Sequence, residues 1–274
     1  MIDLIKQIQE AIQYSFIQRA LVAGSFIALG CAFLGVFLVL RRFSLIGDGL
    51  AHVSFATVAL ALLLDTQPLL FAMPLVALAS LLILQLNEKA QIYGDTAIGL
   101  VSSFGIALGV LIASTANGFN VDLFSYLFGN ILSVSLLEMW LSIAILLLII
   151  LTISLFYHDL FAITFDEEYA QVLGIRVRLV NHILILLTSL VIVLGMKIVG
   201  TMLISSLIIL PAVTALQLVH SFRTTIILAG IFAVSSVIFG IFISYLLNFP
   251  SGATIVMVNF SFFITALLLR YFSS

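Results

Sequence analysis

The chain has 274 residues, of which 64% are hydrophobic and only 8% charged, and its net charge is −2. Soluble domains carry about 25% charged residues, so lipid is the solvent for most of this surface and an aqueous enzyme is excluded. The near-neutral charge and the lack of a basic stripe argue equally against nucleic acid as a partner.

Residues 1–16 read as an amphipathic helix at the membrane interface. Leu4, Ile5, Ile8 and Ile12 recur at helical spacing, with Asp3, Lys6, Gln7 and Glu10 between them. The first fifteen residues lack the basic start and compact apolar stretch of a signal peptide. Residues 17–274 then form a single all-α, polytopic transmembrane bundle of eight or nine spans. About 20 apolar residues cross a bilayer, and the runs that qualify are 18–40, 45–64, 68–86, 95–115, 131–156, 179–197, 199–219, 223–247 and 252–270. The division around Lys197 decides between eight and nine.

Cys31 is the only cysteine, in an apolar run, so it makes neither an internal disulfide nor a thiolate cluster. Gly30 and Gly35 in the first span, and Gly105 and Gly109 in the fourth, allow close helix contact. Residues 117–130 mix polar and aromatic side chains and read as an external loop with a short helix. Residues 157–178 are the longest polar stretch. Within it Asp166 is placed to cap a helix carrying Glu167 and Glu168 in its first turn, with Gly174 ending it. Tyr169, Val172 and Leu173 give that helix an apolar side that either docks a partner or rests on the bundle.

Arg41, Arg42, Lys89, Arg176, Arg178, Arg223 and Arg270 fall at one set of span ends, and Lys6, Arg19 and Lys197 at the other. The positive-inside rule places the first set in the cytoplasm. With nine spans the chain starts outside and ends inside.

Charges within a span are costly and usually functional. The sharpest case is Gly47-Asp48-Gly49-Leu50-Ala51-His52. Asp48 and His52 are four residues apart and share one helix face. A carboxylate oxygen and an imidazole nitrogen suit zinc and, to differing degrees, manganese and iron. Two facing copies would supply four ligands. The alternative is a helix cap at Asp48 and a carbonyl-bonded His52, although a cap does not account for a histidine one turn deeper. Asp95 reads as an N-cap. Lys197 reads as a snorkelling or gate charge, and Glu138 as interfacial. Thr201, Ser205, Ser206, Pro211 and Thr214 interrupt the seventh span, where Pro211 permits a kink of the kind found along transport paths. His158, His182 and His220 have no partner at ligand spacing.

None of Lys6, Lys89 and Lys197 is followed by Ser or Thr, so the chain has no P-loop. HExxH is absent. Asp48 and Asp95 leave only a remote reading as an intramembrane aspartyl protease, since Leu45-Ile46-Gly47-Asp48 lacks the first glycine of GxGD.

The stretch Arg41-Arg42-Phe43-Ser44-Leu45-Ile46-Gly47-Asp48-Gly49-Leu50-Ala51-His52-Val53-Ser54 resembles the signature of zinc/manganese ABC-transporter permeases. Further matches follow in order at residues 94–99, 122–129, 165–174, 197–212 and 250–253, and the resemblance runs from about residue 17 to 270. It looks closest to the zinc branch, with manganese or iron as alternatives. The resemblance implies a homodimer in the bacterial cytoplasmic (inner) membrane. Two separate ABC ATPases would lie beneath it, holding the ATP, and an extracellular or periplasmic protein would deliver the metal. It makes Asp48 and His52 the metal ligands; Lys197, Thr201, Ser205 and Pro211, gate or pathway candidates on the residue reading, fall within its matched stretch 197–212. It makes 165–174 the helix that couples to the ATPase, through Phe165, Asp166, Glu167, Glu168, Tyr169, Val172, Leu173 and Gly174. A metal channel or secondary transporter working without an ATPase is the rival of another class.

Overall fold

The computed structural model describes residues 10–89, 94–115, 121–130, 134–201 and 203–273. Most of the expected interfacial helix, residues 1–9, lies outside them; a helical turn over 10–13 leads into the bundle. The helices in chain order are α1 (Ser15–Leu40), α2 (Ile46–Leu63), α3 (Pro68–Lys89), α4 (Gly94–Thr115), α5 (Val121–Phe128) and α6 (Leu136–Leu155). They continue with α7 (Tyr157–Phe165), α8 (Glu167–Val172), α9 (Val177–Ile198), α10 (Ile204–Leu218), α11 (Phe222–Leu247) and α12 (Ser251–Ser273). No strand occurs among the described residues.

Eight helices are long and apolar enough to cross a membrane: α1, α2, α3, α4, α6, α9, α11 and α12. They coincide with the expected runs to within a few residues. The ninth run, 199–219, starts late. Its helix α10 has only 15 residues, about 22 Å at 1.5 Å per residue, which falls short of a 30 Å hydrocarbon core. Gly200 takes φ +96° and turns the chain out of helix between α9 and α10. Val199 and Thr201 on either side are 1% exposed. Unwound backbone at this depth survives only when protein covers it and supplies its hydrogen bonds.

Two other segments supply them. Thr201 donates its backbone N–H to the Tyr126 carbonyl, and Asn130 donates to the Lys197 carbonyl. The Ser251 hydroxyl donates to the Ile198 carbonyl at 3.3 Å. Gly129 (φ +80°) and Gly200 stack backbone on backbone, and Gly252 lies against the Val199 and Phe128 carbonyls, so none of the three has room for a Cβ. The expected short helix in 117–130 is therefore α5, and its end is a structural plug beneath the unwound link.

The core centres on α1, α9 and α10. Gly35 of α1 meets the carbonyl of Ile208 in α10 with no room for a side chain. Pro211 sits inside α10, buried. At the end rich in arginine, α7 precedes the six-residue α8. Both lie within the polar stretch 157–178, where only one short helix was expected.

Candidate metal-binding site

Helix α2 begins at Ile46 after a tight reversal in which Arg42 adopts φ +59°. Leu45 occupies its cap position and no side chain caps it; Asp48 stands in the first turn. Asp48 is thus not the cap that the sequence left open. Its charge instead faces the positive helix terminus. His52 follows one turn on, with Nε2 at 3.4 Å from Asp48 Oδ2, and the two side chains are 20% and 47% exposed respectively. The pair is the only His–carboxylate contact among the described residues' salt bridges.

Glycines fix this helix on both sides. A Cβ on Gly47 would meet Ile208 Cδ1 at 3.0 Å and Ser205 Cα at 3.5 Å, both of α10. A Cβ on Gly49 would meet Ile98 Cγ2 of α4 at 2.7 Å. The GxxxG of α4 continues the contact. A Cβ on Gly105 would meet the backbone of His52 and Val53 at 3.0 Å, and one on Gly109 the Phe55 ring. The residues flanking Asp48 are thereby clamped between α4 and α10, and the backbone under His52 rests on α4. Small residues permit this approach where lipid gives no hydrophobic drive for helices to associate.

Among the described residues no group of three or more His, Cys, Asp or Glu side chains stands together at metal-binding distance. One chain therefore offers one oxygen ligand and one nitrogen ligand at this place.

The gate candidates divide. Ser205 is the second residue of α10, beside Gly47. Its Oγ and the Thr201 Oγ1 are buried with no hydrogen-bond partner among the described residues. Lys197 lies in the last turn of α9 and its Nζ donates to Glu138 Oε1 at 2.6 Å; the side chains are 16% and 13% exposed. Glu138, expected at the interface, stands in the first turn of α6 as the N3 residue of a capping box. Its other oxygen accepts from the Ser135 N–H at 2.7 Å, while its own N–H donates to Ser135 Oγ. Asp95, expected as an N-cap, lies inside the first turn of α4.

The helix expected at 165–174 is observed as α8, Glu167–Val172. Asp166 caps it, accepting from the Tyr169 N–H at 2.9 Å, and Gly174 (φ +79°) ends it. Ala170 is buried, whereas Phe165, Tyr169, Val172 and Leu173 are 63%, 59%, 83% and 56% exposed. Glu167 accepts from Arg41 Nη2 at 3.2 Å; the Arg41 side chain is 7% exposed. Burial pushes the Arg41 guanidinium below its ordinary pKa, and Glu167 opposes that shift. Arg41 also lies over the Phe43 ring, which packs on Gly94 at the start of α4.

Sequence reasoning passed over two buried amides. Asn259, wholly buried in α12, has neither amide atom hydrogen-bonded among the described residues, and Asn181 of α9 has an unpartnered Oδ1. An amide within an apolar span was the available signal for both.

A bundle of eight membrane-length helices and a broken ninth, with an intramembrane carboxylate–imidazole pair and a short helix presenting apolar side chains at one end, has the build of a membrane transport subunit. The chain belongs to the ABC 3 transport family, whose model matches residues 13–270. It is 36% identical to the manganese import system permease protein ScaB of Streptococcus gordonii, covering 94% of each chain. It is also 36% identical to the manganese transport system membrane protein MntC of Listeria monocytogenes, over 93% of this chain and 91% of that one. Among solved structures, PsaBC from Streptococcus pneumoniae in complex with Fab matches with a TM-score of 0.85. The identity there is 33%, covering 97% of this chain and 95% of that one. The chain is a permease subunit and not an enzyme; ATP hydrolysis belongs to a separate chain.

Proposed function

We propose that this chain is the permease of an ATP-driven importer of a divalent transition metal, and that the metal is manganese. The observation that carries the reading is the Asp48–His52 pair at 3.4 Å on a helix immobilised by Gly47, Gly49 and Gly105. The relatives named as manganese permeases support manganese over zinc, which the sequence put first. The chemistry agrees with either, since carboxylate oxygen suits manganese and imidazole suits zinc.

In this reading two copies face each other, and Asp48 and His52 of both replace part of the ion's hydration shell. Each copy supplies a carboxylate, so the dication meets two negative charges. Binding must remain weak enough for release. A separate protein outside delivers the ion. Two ATPases dock on Phe165, Tyr169, Val172 and Leu173, and their closure moves α8. The Glu167–Arg41 pair carries that movement to the turn that starts α2. Thr201 and Ser205, whose hydroxyls have no hydrogen-bond partner among the described residues, line the far side of the path, and the Lys197–Glu138 pair holds its outer end shut.

The test is metal accumulation in bacteria lacking their own manganese and zinc importers. They would express the chain with its ATPase and binding protein, and total metal would be read by mass spectrometry. Manganese uptake that is lost in Asp48→Asn, in His52→Ala and with an ATPase-dead partner is the expected result. Zinc uptake with the same losses would keep the mechanism and change the cargo. Uptake surviving the dead ATPase would remove the ABC reading, and uptake surviving both pair variants would reduce Asp48 and His52 to structural residues.

A further inference from the structure

A cavity of about 70 Å³ lies where the turn after α1 meets α3, α8 and α9. Arg41, Asn87, Glu167 and Asn181 supply its polar lining, and apolar side chains of α1, α3 and α9 close the rest. A single water needs roughly 10–15 Å³ of such space, so a side-chain head group has room to turn inside it. Arg41 and Glu167 form the ion pair described above, at 3.2 Å.

Two of these groups have unused hydrogen-bonding capacity of opposite kind. Asn181 is 8% exposed, and its Oδ1 is buried with no hydrogen-bond partner among the described residues. A buried acceptor left unpaired is costly, and an orphan of this kind calls for a reason. Arg41 is the complement. Its guanidinium carries five N–H donors and no acceptor. Among the described residues its side chain makes one hydrogen bond, from Nη2 to Glu167. Donor and acceptor thus line one small cavity, with Glu167 of α8 and Asn181 of α9 both on its wall.

We propose that Asn181 is a positioning residue of the coupling step, the acceptor to which Arg41 passes when α8 moves away. The inference rests on the importer reading, in which the ATPases move α8. In the structure Arg41 ties the turn that opens α2 to Glu167. The pair carries the first part of an α8 movement to that turn. As α8 is drawn further from the bundle, the ion pair lengthens. A buried guanidinium stripped of its partner is strongly unfavourable, and Arg stays charged at any working pH. Turning within the cavity, Arg41 donates instead to Asn181 Oδ1, a charge-assisted hydrogen bond. The turn is then tied to α9, and the travel transmitted from α8 has a defined stop. A neutral amide suits this post. It holds the guanidinium less tightly than a carboxylate does, so Arg41 goes back to Glu167 when α8 returns.

The test has two arms. The first is thermal denaturation of the full chain in detergent, without metal or ATPase. Glu167→Gln lowers the midpoint, and adding Asn181→Asp should recover most of that shift, because the new carboxylate takes the guanidinium from the other wall of the cavity. In Arg41→Gln the same Asn181→Asp should lower the midpoint further, since two carboxylates then share the cavity with no cation between them. No recovery in Glu167→Gln overturns the proposal. So does a midpoint raised by Asn181→Asp in Arg41→Gln, because the partner of residue 181 is then Asn87 or an arginine at the start of α9. The second arm is manganese import by the chain with its ATPase and binding protein. Asn181→Leu deletes an orphan acceptor, so its midpoint should equal or exceed that of the parent. Its maximal import rate should nevertheless fall about tenfold, the worth of one charge-assisted hydrogen bond, with the half-saturating manganese concentration unchanged. A lowered midpoint with an unchanged rate per folded chain is the mark of a structural amide and overturns the proposal. Failure of the importer reading shows separately, as a parent chain without ATP-dependent import, and leaves the first arm to decide the contact.

Discussion

Gly99 and Gly105 lie on the same helix, α4, and respond to alanine in opposite ways. At Gly105 the new Cβ would stand 3.0 Å from the His52 carbonyl carbon and the Val53 nitrogen. Those atoms are backbone and cannot swing aside, so α4 must retreat from α2 by a few tenths of an ångström. Overpacking of this kind costs about 1–3 kcal/mol. At Gly99 a Cβ would find nothing within 4 Å. Both changes gain the same helix propensity, up to about 1 kcal/mol, so that contribution cancels in the comparison. Gly105→Ala is therefore expected to be less stable than Gly99→Ala by about 1–3 kcal/mol, with Gly99→Ala equal to or slightly above the parent. Denaturation of the three proteins in one detergent gives the difference. The retreat also withdraws α4 from the α2 backbone under His52, so metal uptake should fall in Gly105→Ala and persist in Gly99→Ala. Equal stability and equal uptake in the two variants would refute the close contact of α4 and α2 and, with it, the claim that glycine positions the pair.

The other expectations concern the two ends. Glu167→Gln leaves the Arg41 guanidinium buried without its carboxylate. Removing one partner of a fully buried pair costs about 3–5 kcal/mol, but Glu167 is 46% exposed, so a loss of about 1–2 kcal/mol is expected after allowing for solvent. Arg41→Gln should cost less, because Glu167 is left facing water; a double-mutant cycle in detergent checks the asymmetry. Gly200→Ala meets both a left-handed φ and the Leu127 carbonyl, and should prevent accumulation of folded chain in the membrane, read by fluorescence-detected size exclusion. Asp166→Ala removes the cap of α8, worth about 0.5–2 kcal/mol; ATPase recruitment should weaken while thermal stability of the rest changes little.

The spans were legible because lipid demands long apolar helices, and eight of the nine expected runs contain one, the ninth holding only the 15-residue α10. The break after Lys197 was half legible. Glycine and polar residues marked it, but the left-handed turn at Gly200 depends on backbone partners, Tyr126 and Asn130, some 70 residues earlier in the chain. No local pattern carries that information. The same reason hid the Lys197–Glu138 pair, whose members are 59 residues apart. Asp48 and His52 were legible because four-residue spacing on a helix is a local geometry. The cap at Asp166 and the stop at Gly174 were legible on the same ground. Helix α7 was not, because its first residues, Tyr157-His158-Asp159, carry the polarity of a loop. Its burial comes instead from Leu160 and Ile163 packing on the bundle.

Stretches far apart in the chain converge on two places. Residues 126–130, 197–201 and 251–252 close on one another at the link between α9 and α10. Residues 41–52, 94–105 and 205–208 close on one another around α2. Helix α10 joins the two, since its first turn follows the link and its Ser205 and Ile208 abut Gly47. Backbone-to-side-chain contacts without slack do not deform continuously; packed elements move as bodies or not at all. Under the proposed coupling, a displacement of α8 would reach Arg41 through one ion pair and then the turn that opens α2, whose Gly47 abuts α10 without room for a side chain. Asp48 and His52 would then sit where that movement meets one begun at the α9–α10 link.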